Sequence, residues 1–213
     1  KACRALGVSE EGMVQWWRRL RGLYTGPGRF YHTLVHLRNM FDQLHSLQLP
    51  VEREDLVTMS IFFHDAVYDA TRGDNETESS ALFRAMVAEE RERGGGGLKE
   101  EDVAAVTAWI ERTAKHHNGP ASGDMAVLLD VDLSVLGASP EVYEQYSEGI
   151  LYEYAHIPFP EFLPKRIAVL EKMLAARSLY FTAPCLAALE GPARVNLRRE
   201  IARCKADLER ISK

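Results

Sequence analysis

Four groups of ionisable residues interrupt apolar stretches of this 213-residue chain, and each is a candidate for chemistry. In Tyr31-His32-Thr33-Leu34-Val35-His36, two histidines stand four apart. On a helix that spacing puts them on one face about one turn apart, so that one could bind metal while the other reaches a substrate. In Phe62-Phe63-His64-Asp65, an ionisable pair follows directly on an apolar run. Such a pair is costly to bury unless it is satisfied, by metal or by its own partners. Adjacent helical residues diverge by about 100°, so both meet one ion only if it lies beside the helix, between their directions. The two oxygens of Asp65 could also bridge a pair of ions. In Leu128-Leu129-Asp130-Val131-Asp132-Leu133-Ser134, two aspartates break an apolar run; one carboxylate could merely cap a helix, but two suggest a use for charge. The last group is Asp69, Asp74, Asn75, Glu76 and His116-His117. Here Asp74 or Asn75 is equally readable as a helix cap, and the two histidines as cations favouring a helix C-terminus.

The elements that must position these residues read as helices almost throughout. Ser9 caps a helix whose Met13, Trp16, Leu20 and Tyr24 recur at three-to-four spacing, and Gly26-Pro27-Gly28 ends it. Trp16 and Trp17 cannot both face one core, which leaves one for a packing interface. A second helix is predicted from Tyr31 to Leu47 and a third, buried on most sides, from Glu52 to Tyr68. A fourth spans Glu76 to Glu92, and Gly94 to Gly97 is a flexible loop within the domain. Asp102 to His117 is a fifth, and Ala126 to Val135 reads as helix rather than strand. Ser139-Pro140 starts another, and Pro158, Pro160 and Pro164 mark an irregular passage. Two last helices are predicted from Pro164 to Phe181 and from Gly191 to Ile211. The fold class is all-α: one helical bundle over 1–213, with an N-terminal helix (1–25), a metal-site core (26–135) and C-terminal helices (136–213).

Composition narrows the classes. Apolar residues at 46% and charged residues at 27% suit a soluble globular chain. A net charge of −5 argues against a partner of long nucleic acid, though bound metal would still attract a small anion. Cys3, Cys185 and Cys204 are far apart and form no CxxC, so neither a disulfide framework nor a zinc knuckle is expected. With no apolar run near the ~18 residues of a membrane span, a cytoplasmic location and no membrane partner are expected. The chain begins at Lys1 rather than Met, which leaves room for residues upstream.

The ordered set His36, His64-Asp65 and Asp132 resembles the HD-domain superfamily of metal-dependent phosphohydrolases. The resemblance implies that His36, the His64-Asp65 doublet and Asp132 lie on separate helices and share a metal. Tyr31 to His36 is similar to the opening motif of cyclic-nucleotide phosphodiesterases, which implies His32 as proton donor and His36 as ligand. Asp132-Leu133-Ser134 is similar to their last metal motif and favours Asp132 over Asp130 as the closing ligand. The strings FFHDAVYD, DNETES and LLDVDLSVLG look more closely like an uncharacterised group of predicted HD phosphohydrolases, over roughly Trp16 to Leu208. Tyr143 to Tyr154 and Ala193 to Glu200 share that likeness. Thr33 departs from the phosphodiesterase asparagine, and Tyr68 stands where some HD nucleotidases carry a glutamate.

On this reading the chain is a divalent-metal-dependent phosphohydrolase of a phosphomonoester or phosphodiester, with a nucleotide or small phosphorylated metabolite as substrate. Catalysis falls to His32 and Asp65; the metal ligands are His36, His64, Asp65 and Asp132. The metal is one or two ions of Mn, Fe, Ni, Co, Zn or Mg. Asp69, Asn75, Glu76, His116 and Asp130 are candidates for supporting ligands or holding substrate, Asp69 by orienting a ligand histidine. The alternatives are a metal-holding regulatory or nucleotide-binding module with little turnover, and an HD-type di-iron oxygenase using His116 or His117. Nothing in the sequence specifies an oligomer.

Overall fold

The three-to-four spacing of apolar residues resolves into nine α-helices in a computed structural model that describes residues 7–94, 98–116 and 119–212. Cys3, Gly95 to Gly97 and His117 lie outside the described residues. The helices are α1 (Glu10–Tyr24), α2 (Leu34–Ser46), α3 (Glu54–Phe63), α4 (Asn75–Glu92) and α5 (Glu100–Thr113), followed by α6 (Gly123–Asp132). A 3-10 turn, Leu133–Gly137, continues α6 and leads to α7 (Pro140–Glu153), α8 (Phe159–Ala175) and α9 (Ala183–Ile211). No strand occurs among the described residues, so the fold is all-α.

Helix starts follow local chemistry. Ser9 Oγ accepts the Gly12 N–H at 3.0 Å, and Glu90 of α4 takes the Ser9 N–H and hydroxyl at 2.9 Å each, tying α1 to α4. Asp124 of α6 accepts the N–H groups of Glu52 and Arg53 at 2.8 Å each and so fixes the entry to α3. Between these anchors α3 is the spine of the molecule: Leu56, Val57, Met59, Ile61 and Phe63 are all buried. It packs on α5 and α6, while α2 covers α6 and α4 lies along α5. The last helix, α9, packs on α8 and crosses the 3-10 turn. One continuous buried cluster runs from Val8 to Cys204 and draws on every helix. Trp16 belongs to it, whereas Trp17 is 47% exposed and meets Phe62 edge-on.

Several boundaries differ from the expectation; α8, for one, ends at Ala175 rather than Phe181. α2 begins at Leu34 rather than Tyr31, because Thr33 Oγ1 caps it by accepting the Val35 N–H. α3 stops at Phe63 rather than Tyr68, so the His64-Asp65 doublet sits on the turn that leaves the helix. α5 ends at Thr113, short of His116. α8 starts at Phe159 and α9 at Ala183, with Pro164 and Pro192 inside them. An interior proline costs a helix about 3 kcal/mol. Burial of Phe162, Leu163, Ile167 and Leu170 on α8, and of Leu189, Ala193 and Leu197 on α9, outweighs it at roughly 1.5–3 kcal/mol per large side chain. No helix among the described residues is long and apolar enough to cross a membrane.

Candidate metal centre

Each of the four residues that meet here is delivered by the end of a helix. His36 lies in the first turn of α2, His64 and Asp65 follow the last turn of α3, and Asp132 is the last residue of α6. Since α3 packs on α6 and α6 on α2, the three ends converge. One ligand atom from each of His36, His64, Asp65 and Asp132 lies within 4.8 Å of all the others. His36 is 2%, His64 1% and Asp65 9% exposed.

The donor atoms suit a cation. His64 Nδ1 lies 2.9 Å from the Ile61 carbonyl and donates to it, which leaves the Nε2 lone pair facing inward. That Nε2 stands 3.2 Å from His36 Nε2, 3.1 Å from Asp65 Oδ2 and 3.5 Å from Asp132 Oδ1. His36 Nε2 is 3.2 Å from Asp132 Oδ1. Bonds of about 2.1 Å to one ion would set neighbouring ligand atoms about 3.0–3.4 Å apart. Two carboxylates this close repel by about 3 kcal/mol even at an effective dielectric of 20. The group could therefore hold a metal ion, and without one it must hold a proton. Burial alone would lower the His64 pKa and raise those of both aspartates, but their mutual attraction wins. His64 is pushed well above its ordinary 6.5, while Asp65 and Asp132 fall below the usual carboxylate range. His36, lowered by burial and by charged His64, stays neutral more easily.

His32 lies in the turn before α2, not on the helix, yet its ring still reaches the cluster: Nε2 is 3.8 Å from Asp65 Oδ2. What places it is Glu153, the last residue of α7. Glu153 Oε1 accepts the N–H groups of Phe30, Tyr31 and His32 at 2.8, 2.8 and 2.9 Å. Its Oε2 meets His32 Nδ1 at 2.7 Å and accepts the Tyr68 hydroxyl at 2.8 Å. Gly149, one turn back on α7, allows this approach, since a Cβ there would stand 3.0 Å from Tyr31 Cβ. Burial would lower the His32 pKa, but the Asp65 charge and the Glu153 hydrogen bond raise it above 6.5. Burial would raise Glu153, and the hydrogen bond and charge of His32 hold it instead at about 2. Arg29 locks the other side, donating to the carbonyls of His32, Asp65 and Ala66 at 2.8 Å each. Sequence reasoning missed both Glu153 and Arg29. For Glu153 a signal existed: it shares the buried face of α7 with Tyr146 and Ile150, where a lone carboxylate needs partners. Arg29, in a loop without periodicity, gave none.

The remaining candidates divide. His116 Nε2 meets Asp132 Oδ2 at 2.6 Å, so it orients the ligand carboxylate from behind rather than pointing into the cluster. Asp130 belongs elsewhere: its oxygens accept the Phe181 N–H, the Thr182 N–H and the Thr182 hydroxyl at 2.8, 2.7 and 2.6 Å, anchoring the start of α9. Two residues apart on α6, Asp130 and Asp132 project about 200° from each other, so one faces the cluster and the other α9. Asp69 orients no ligand histidine; its carboxylate accepts the N–H and hydroxyl of Thr71 on an exposed turn. Asn75 spends its side-chain amide on the backbone of Asp69, donating to its carbonyl and accepting its N–H. Asn75 and Glu76 line a cavity of about 510 Å3 whose floor is His32, Asp65, His116 and Asp132.

Comparison with known proteins yields no matching family model, no matching curated protein and no matching solved structure.

Proposed function

We propose that this chain is a divalent-metal-dependent phosphohydrolase acting on a phosphomonoester or phosphodiester of a small molecule, nucleotides included. The observation that carries the reading is the convergence of His36, His64, Asp65 and Asp132 on one point, where Asp65 and Asp132 open onto a cavity and His32 stands beside them outside the ligand set. Imidazole and carboxylate donors in this number suit Mn, Fe, Ni, Co or Zn, and Mg less well. A divalent ion held there supplies a Lewis acid for phosphoryl oxygens and lowers the pKa of bound water from about 15.7 toward 7.

The chain's own residues do the rest. Glu153 accepts the Nδ1–H hydrogen bond of His32 and, with the Asp65 charge, favours the charged form of the ring, the form that carries a proton on Nε2. From there His32 delivers that proton to the leaving oxygen of the ester. The Arg29 and Glu153 bonds to the backbone around His32 fix the ring before substrate arrives, which spares ordering at the moment of reaction. His116 holds one oxygen of Asp132 and leaves the other for the ligand position. Tyr31, Tyr68 and Leu136 line the cavity beside these groups.

The test is elemental analysis of the purified protein, followed by a phosphate-release screen over nucleotides and simple esters with Mn, Co, Ni and Mg. The reading predicts at least one bound transition metal per chain and metal-dependent phosphate release from some member of the panel. Metal-free protein that stays inert with every ion would overturn it.

A further inference from the structure

On the cavity wall opposite the cluster, Arg166 of α8 is only 7% exposed, yet part of its hydrogen-bonding capacity is unused. Its Nε donates to Glu200 Oε1 at 2.8 Å, and its Nη2 to Glu200 Oε2 and the Tyr146 hydroxyl at 3.2 Å each. Nη1 has no acceptor among the described residues. Glu200 does not call for it, since Tyr143 and Ser147 already supply the carboxylate's other hydrogen bonds. That nitrogen is not among the fully buried atoms left without a partner, so it opens to the cavity, where water or a bound acceptor meets it.

The path from Arg166 to the cluster is paved with rings. The guanidinium carbon lies 5.4 Å from the centre of the Tyr146 ring, and between ring centres Tyr146 lies 4.7 Å from Tyr31 and Tyr31 4.9 Å from His36. Ile150, Ile157, Phe162 and Val169 make the neighbouring wall apolar. Several polar groups of the lining are already committed, the Asn75 amide to Asp69, the Thr113 hydroxyl to Ile110 and the Tyr68 hydroxyl to Glu153, which leaves the Tyr31 and Tyr154 hydroxyls beside the apolar side chains. At the rim, Lys115 and Lys165 are exposed and form no ion pair among the described residues, against Glu76 as the one acid on the wall outside the cluster.

We infer that the cavity selects phosphate esters bearing a second anionic group, set off from the phosphate by a largely apolar aromatic spacer, with Arg166 as the anchor and Lys165 as a neighbouring charge. This rests on the reading that the cluster end receives the phosphate. A carboxylate or a second phosphate has the acceptor geometry that a free guanidinium nitrogen matches. Carrying that charge on an apolar spacer distinguishes the substrate from simple esters, which would leave Arg166 unpaired.

The test is isothermal titration of the manganese-loaded protein with biphenyl-4-ylphosphonate and its 4′-carboxy analogue, alongside phosphate release from the two corresponding phosphate esters. The carboxy compound is expected to bind about tenfold tighter, the size of one charge-assisted hydrogen bond. Arg166→Lys, which keeps the charge beside Glu200 but loses the fork, should bring the two affinities together. Lys165→Glu, on the surface and outside the buried network, should cut the preference at least threefold; it serves alone if Arg166→Lys does not fold. Equal affinities in the wild type, or a preference that Lys165→Glu leaves unchanged, would overturn the inference. If both esters are cleaved at equal kcat/KM, hydrolysis stands and the second anion site falls. If neither phosphonate binds, the inference falls as well, and phosphate release from the wider panel decides the fate of the hydrolase reading separately.

Discussion

Replacing Glu153 by glutamine removes one charge from the position that supports His32, and both consequences can be sized. In the folded chain the Glu153 carboxyl is held at about 2 against an ordinary 4.5. A gap of that width is worth about 3 kcal/mol of stability. Because the folded value is depressed, the contribution is complete above 4.5 and is lost as pH falls from 4.5 through about 2. Glu153→Gln has no such dependence. Its melting temperature should sit about 6–10 °C below wild type at pH 7, and the difference should shrink steadily on acidification below pH 4.5. The second consequence is catalytic. The amide cannot stabilise charged His32, so the His32 pKa drops and the alkaline limb of the kcat profile moves to lower pH, with kcat down about a hundredfold. Metal content should not change, since Glu153 touches none of the four clustered residues. Thermal melts by circular dichroism at pH 7, 4.5 and 3, with pH–rate profiles in manganese, measure both. Equal melting temperatures at pH 7, or an unmoved alkaline limb, would refute the reasoning.

The remaining predictions separate the ligands from their neighbours. Asp65→Ala should abolish metal binding and phosphatase activity while the helical signal persists; His32→Ala should keep the metal and lose turnover by about 10²–10⁴-fold. Asp130→Asn should cost about 2–4 kcal/mol in denaturant unfolding, because a buried carboxylate accepts three hydrogen bonds at the start of α9, yet should leave metal stoichiometry at the wild-type value. Gly137→Ala should destabilise by about 1–3 kcal/mol without touching the site, since a Cβ there would meet Leu189 Cα at 2.9 Å.

Helices were legible wherever apolar periodicity was strong, and least legible at their ends. Pro164 and Gly191 read as starting points, the first because proline opens helices more comfortably than it interrupts them, but burial along α8 and α9 carries both helices back past them. Tyr31 to Thr33 read as helix by continuity with α2; the structure instead gives the Tyr31 and His32 N–H groups to Glu153 and starts the helix after the Thr33 cap. Within the site, His36, His64, Asp65 and Asp132 were visible because each is a charge in an apolar setting, and the ends of α2, α3 and α6 bring them together. Glu153 and Arg29 stayed hidden because their partners are backbone groups distant in the chain, and no side-chain spacing encodes such a contact. Asp69 was offered for its type and Asp130 for the apolar run it breaks, but their oxygens are spent on a local turn and on the start of α9.

Anomalous diffraction from crystals grown in manganese tests the central claim most directly. The account predicts a manganese peak bonded to His36 Nε2, His64 Nε2, Asp65 and Asp132, and its loss in Asp132→Ala crystals. An ordered, empty cluster in the wild type at millimolar manganese, with the four side chains apart, would contradict it.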